Sequence, residues 1–247
     1  MTPTENFISH LVELRDRLLR TLIGFVLVLL MLLPFANKIY SLLAAPLLAQ
    51  LPSGGQMIAT AVTTPFFVPM KVAMMAAFII SLPHTMYQAW SFVAPGLYAH
   101  EKKFMVPMIV ASCCLFLMGM AFAYFLVLPV IFGFIISAAP VGVAVMTDIA
   151  NYLDFVIGLF FAFGLAFQVP IAVILVVYFG WLDVIQLKAM RAYVVVVAFI
   201  LGAIFTPPDV VSQFMLALPI CMLYELGMLL AGFITKTKSS EPDSLAL

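Results

Sequence analysis

Residues 104–136 read FMVPMIVASCCLFLMGMAFAYFLVLPVIFGFII, thirty-three positions without a charged side chain. A helix crossing the ~30 Å hydrocarbon core of a bilayer needs ~20 such residues, each rising ~1.5 Å. The rest of the chain has the same character. Of its 247 residues, 66% are hydrophobic and 9% charged, where a soluble domain averages roughly 45–50% and about 25%. Eleven basic and eleven acidic residues cannot dress this much Phe, Leu, Val and Met for water. A soluble globular fold is excluded, and the bilayer is the solvent. Zero formal net charge excludes a generally basic nucleic-acid binder. The charges therefore act by position.

The expected fold is an all-α polytopic membrane protein of six transmembrane helices. The spans are Leu18–Ala36, Phe66–Trp90, Phe104–Ile136, Phe155–Trp181, Tyr193–Phe205 and Val210–Phe233. The third exceeds what a crossing requires, so it tilts, kinks or emerges from the membrane. The fifth, thirteen residues long, rises only ~20 Å. With Thr206-Pro207-Pro208-Asp209 behind it, the fifth and sixth read as a pair of short helices that thins the bilayer or does not fully cross it. Pro69, Pro83, Pro107, Pro129, Pro170 and Pro219 lie within apolar runs. Each removes a helical hydrogen bond and favours a bend, so bent helices with a concave face are expected. The reading is one membrane domain, 1–235, followed by a disordered cytoplasmic tail, 236–247.

Six spans put both termini on one side. That side holds nine of the eleven basic residues: Arg15, Arg17, Arg20, Lys102, Lys103, Lys188, Arg191, Lys236 and Lys238. The other side holds Lys38 and Lys71 with the acids Asp148, Asp154 and Asp209. The positive-inside rule then makes both termini cytoplasmic. The charged stretch before the first span is too long for the basic region of a cleavable signal peptide, so that span is expected to be a retained anchor. Cys113, Cys114 and Cys221 sit in apolar runs without metal-ligand or redox spacing, and no metal or cofactor is expected.

Before the first span, Phe7, Leu11, Leu14 and Leu18 recur at helical spacing. They form the apolar stripe of an interfacial amphipathic helix over about 4–17. Glu13 stands four residues before Arg17, the spacing of a helical ion pair. The loop after the second span, Phe92-Val93-Ala94-Pro95-Gly96-Leu97-Tyr98-Ala99-His100-Glu101, turns at Pro-Gly. Glu101 starts the next helix, where the dipole favours a carboxylate.

These segments carry a resemblance. His10-Leu11-Val12-Glu13-Leu14-Arg15-Asp16-Arg17-Leu18 is similar to the N-terminal signature of the TatC family, the C subunit of the twin-arginine protein translocase. The loop from Phe92 to Glu101, the Ser41–Pro46 stretch, Phe163-Gly164-Leu165-Ala166-Phe167-Gln168-Val169-Pro170 and Thr206-Pro207-Pro208-Asp209 resemble further family motifs, in the family's order, from about residue 9 to 232. The resemblance implies a non-enzymatic signal-peptide receptor in the bacterial inner membrane, exporting folded proteins on the proton-motive force. The implied partners are twin-arginine signal peptides, single-span TatA- and TatB-type subunits, further copies of the chain and the lipid bilayer, but no nucleic acid. Paired guanidiniums call for carboxylates, whose two oxygens match a planar fork of donors. The resemblance assigns that task to Glu13 and Glu101, with Arg15, Phe92, Leu97 and Tyr98 shaping the patch. It places Thr206, Asp209 and Gln213 where the single-span subunits dock.

Ionisable groups in spans are functional candidates. Lys71, His84 and Glu225 lie close enough to span ends to reach the interface. Gln168 lies ~21 Å along the fourth helix from Asp154, beyond easy reach of either surface. Many family members carry Glu there; Gln excludes a titratable carboxylate and suits a polar contact with a partner or inserted peptide. A small-solute or ion transporter is the alternative, and it calls for paired charges or broken half-helices near the midplane. An intramembrane enzyme lacks its motifs, and no phosphate-binding loop is present.

Overall fold

The structure is a computed structural model and describes residues 3–48, 57–93, 105–137, 146–205 and 210–239. The helices are α1 Pro3–Leu32, α2 Ala36–Leu48, α3 Thr64–Val93, α4 Met105–Phe122, α5 Leu128–Ser137, α6 Ile149–Ala166, α7 Val169–Tyr178, α8 Val184–Ala189, α9 Arg191–Phe205 and α10 Val210–Ser239. Among the described residues, five helical stretches are long and apolar enough to cross a membrane, and α9 is a shorter apolar helix. Large apolar side chains such as Leu22, Leu27, Met31, Phe125 and Phe233 face outward, as they do when lipid replaces water.

Several boundaries differ from expectation. The amphipathic segment and the first span are one helix, since nothing in Arg17–Thr21 breaks the hydrogen-bond ladder. Beyond it, Pro34 enters a 3-10 turn over Leu33–Phe35, and the chain resumes as α2 instead of ending near Ala36. The sixth span is not short as a helix: α10 has 30 residues, of which Gln213–Phe233 are the apolar part. Past Phe233 the polar Thr235–Ser239 continues the helix because it contains no Gly or Pro. The structure is therefore helical through Ser239, beyond the position at which the tail was expected to begin. The fifth is short as expected, at 15 residues.

The prolines act unequally. The third span widens into a π turn, Ala123–Val127, just before Pro129, whose missing N–H and ring disfavour regular α geometry. The fourth breaks into α6 and α7 ahead of Pro170. Around Pro83, α3 stays continuous; the Ser81 hydroxyl donates to the Phe78 carbonyl at 3.1 Å and the Thr85 hydroxyl to the Ser81 carbonyl at 3.1 Å. The carbonyl that Pro83 leaves without its helical donor is that of Ile79, which neither of these two bonds reaches.

The chain divides into two compact units. In the first, Met1–Cys114 with Pro140–Asp154, α1 and α2 pack along α3 over buried Val68, Val72, Ala73, Ala77 and Leu82. Gly24 sits against the His84 ring, where a Cβ would lie 2.9 Å from Cδ2. The segment before α3 is pinned to the start of α6. Ile58 N–H donates to the Thr147 carbonyl at 3.1 Å and Ile149 N–H to the Ile58 carbonyl at 2.9 Å. Asp148 caps α6 through the N–H groups of Ala150 and Asn151 and also accepts the Thr60 N–H and hydroxyl.

In the second unit, Leu115–Ala139 with Phe155–Leu247, α10 packs on α7 and α9. Small residues permit close approach, the usual device of membrane helices. A Cβ on Gly227 would meet the Pro170 backbone at 2.8 Å, and one on Gly164 the Phe116 ring at 2.5 Å. Val173, Val177, Leu187, Tyr224, Met228 and Ala231 form one buried cluster. There the Tyr224 hydroxyl donates to the Leu187 carbonyl at 2.8 Å.

Candidate arginine-recognition site

In the first part of α1, Glu13 and Arg17 stand one helical turn apart and pair within the helix. The Arg17 guanidinium donates through Nε at 2.9 Å and through Nη2 to the same Glu13 oxygen, Oε1. The other oxygen, Oε2, lies 4.0 Å from His10 Nδ1. Arg15 points elsewhere and takes Asp16 Oδ1 at 3.1 Å and 2.9 Å. The Arg15–Asp16 pair is the more exposed one, with Arg15 at 67%; Arg17 and Glu13 are at 21% and 33%. The half-buried pair is less screened by solvent.

The end of α3 meets this surface. The Phe92 ring stacks on His10, centroids 4.2 Å apart and planes 20° apart. The structure thus brings Glu13 and Phe92 to one patch through His10, while Arg15 is turned to Asp16. Leu97, Tyr98 and Glu101 lie outside the described residues. On either side of them in sequence, Trp90 and Ser112 form a tie. Gln88 is buried one turn before Phe92, and among the described residues its Oε1 accepts no hydrogen bond.

Gln168 and Gln213 belong to the second unit. Gln168 is half-buried at the N-cap of α7. Its N–H donates to the Leu165 carbonyl and its carbonyl accepts from Ala172, both at 3.0 Å. Pro170 cannot supply the donor that Ala166 would otherwise receive, which accounts for the break at this place. Gln213 donates from Nε2 to the Phe199 carbonyl at 2.9 Å, directly beside Gly202. It helps join α9 to α10. Thr206 and Asp209 lie outside the described residues.

Three contacts escaped the sequence reading. Lys71 meets Asp154 at 2.6 Å and Glu225 meets Arg191 at 2.6 Å, so neither is a solitary charge seeking the interface. The sequence marks Asp148 only as an acid expected on the outer side, yet its four hydrogen bonds, led by that from the Thr60 hydroxyl, lower its pKa to about 2. Lys71 and Asp154, Arg191 and Glu225, and Asp148 and Thr60 stand tens of residues apart, so no local pattern announces these pairings. His10 belongs to the N-terminal motif, but nothing in the sequence signals its stack on Phe92. Among the described residues no cluster of His, Cys, Asp or Glu could hold a metal ion.

Residues 9–219 match the family model described as Sec-independent protein translocase protein (TatC). A protein of that name from Halothiobacillus neapolitanus is 48% identical over 96% of this chain, which spans 65% of that relative's length. Its namesakes from Haemophilus influenzae and Escherichia coli are each 50% identical over 93% of the chain, with 90% and 89% of their lengths covered. A crystal structure titled as the twin-arginine translocase receptor TatC superposes with a TM-score of 0.80 at 36% identity, covering 92% of this chain and 99% of its own. The family model reaches across both candidate groups, from the helix carrying Glu13 to the one carrying Gln213, and the chain belongs to the TatC family of Sec-independent protein translocase proteins.

Proposed function

We propose that this chain is the signal-peptide receptor of a twin-arginine translocase in the bacterial inner membrane, passing folded precursors outward on the proton-motive force. One observation carries the reading. Glu13, the acid that must receive an arginine, already holds a guanidinium at the half-buried foot of α1. Glu101 supplies the second carboxylate for a paired-arginine motif, with Phe92, Leu97, Tyr98 and Arg15 bounding the patch. The chain crosses the membrane six times with both termini cytoplasmic, a topology supported by the distribution of Lys and Arg. Thr206, Asp209 and Gln213 offer the single-span TatA- and TatB-type subunits a docking edge. Gln168 gives a partner or an inserted peptide a polar contact.

The transporter reading calls for paired charges near the midplane. Lys71 and Asp154 pair near the starts of α3 and α6, whereas Arg191 opens α9 and its partner Glu225 falls midway along α10; a single pair reaching mid-helix is fewer than the several that a transporter site calls for. The test is deletion of the gene followed by its return. Folded, cofactor-bearing twin-arginine proteins should stay inside the deleted cell and be exported again on complementation. Normal export together with lost uptake of a solute would overturn the proposal.

A further inference from the structure

The guanidinium on Glu13 belongs to the chain itself. Arg17 presents two N–H donors to Oε1, while among the described residues the one polar group beside Oε2 is His10, at 4.0 Å. A carboxylate grips an incoming guanidinium best with both oxygens and two parallel bonds. That arrangement requires Oε1, which Arg17 holds. We propose that Arg17 is an internal stand-in for a substrate arginine. It keeps Glu13 oriented and charge-paired while the receptor is empty, and it must be displaced when a signal peptide binds. This rests on the proposed function, since it supposes that Glu13 receives an arginine.

The surrounding groups fit an exchange of this kind. Arg15 cannot take over as the stand-in while Asp16 holds its guanidinium at 2.9 Å. An arriving arginine first meets Oε2, which Arg17 does not hold, then takes Oε1 as Arg17 swings toward solvent. One guanidinium leaves as another arrives, so the half-buried carboxylate is never stripped of its counter-ion, a state that costs far more than the pair itself contributes. Displacement subtracts the same free energy from every ligand that uses Glu13. Arg17 therefore sets a threshold of affinity: weak cationic segments fall below it, and a twin-arginine peptide clears it.

The test is titration of the purified full-length chain, in lipid nanodiscs, with a fluorescent synthetic twin-arginine signal peptide and its twin-lysine counterpart. Removing the competitor in Arg17→Gln should tighten both peptides by the same factor. A helical i,i+4 ion pair alone gives about twofold, and its doubled, charge-assisted bond extends the range to roughly tenfold. Arg17→Lys keeps the charge and loses the fork, so its gain should fall between wild type and Arg17→Gln. In a Glu13→Gln background Arg17→Gln should change nothing. Unchanged or weaker binding by Arg17→Gln, in protein whose melting curve shows it folded, overturns the stand-in and means that the ligand adds beside Arg17 on Oε2. A gain that persists in the Glu13→Gln background also overturns it, in favour of general charge repulsion. If Glu13→Gln itself binds as wild type does, the receptor reading of Glu13 fails, an outcome separate from the other two.

Discussion

The indole Nε1 of Trp90 donates to the Ser112 hydroxyl across 3.1 Å, joining α3 to α4 within the first unit. The sequence between these two residues carries Phe92, Leu97, Tyr98 and Glu101. Ser112 is buried, so the bond is sheltered from water. It fixes the distance between the two helices that the loop proposed for recognition connects.

Trp90→Phe keeps an aromatic ring, smaller than the indole, and removes the donor. It should cost at least about 1 kcal/mol of stability, the net worth of a typical hydrogen bond, with the lost ring atoms adding to it, and weaken signal-peptide binding several-fold with both carboxylates intact. Ser112→Ala should act in the same direction. The double variant should fall short of the sum of the singles, because both remove one interaction. Thermal melts and peptide titration check this.

Asp148 links pH to the first unit. Its hydrogen bonds, the Thr60 hydroxyl foremost, hold its pKa at about 2, against 3.8 for an unperturbed carboxyl. A depressed native pKa contributes stability that is complete above the unfolded value and fades as pH falls through the folded one. Melting temperatures should therefore fall between about pH 4 and pH 2, and Asp148→Asn should flatten that part of the profile relative to wild type.

Two glycines of α6 should behave oppositely. A methyl group on Gly164 would meet the buried Phe116 ring at 2.5 Å, while one on Gly158 meets nothing within 4 Å. Gly164→Ala should destabilise by about 1–3 kcal/mol through overpacking. Gly158→Ala should be neutral or stabilising by up to about 1 kcal/mol, the helix-propensity difference between the two residues. Unfolding in mixed detergent reads both.

Features that depend on neighbours in sequence were legible, and those that depend on distant partners were not. Spacing alone paired Glu13 with Arg17, and Pro170 announced the break beside Gln168. The short α9 followed from counting apolar residues. The apolar count ends the first span at Ala36, yet after the 3-10 turn the chain resumes as α2 over Ala36–Leu48. Lys71 and Asp154, Arg191 and Glu225, and Asp148 and Thr60 each join segments tens of residues apart. Only the packing of helices brings these partners within reach. The role of Glu101 comes from family resemblance, whereas that of Glu13 has geometry beside it.

The central claim is that Glu13 and Glu101 receive the paired arginines. Its most direct measurement is the affinity of a purified twin-arginine signal peptide for wild type, Glu13→Ala and Glu101→Ala, each shown folded by its melting curve. Each substitution should weaken binding by roughly tenfold to a hundredfold, the range for losing a hydrogen bond to a charged group. Charge-reversed receptors should recover binding to a peptide whose two arginines are replaced by glutamates. Wild-type affinity in both alanine variants would contradict the claim.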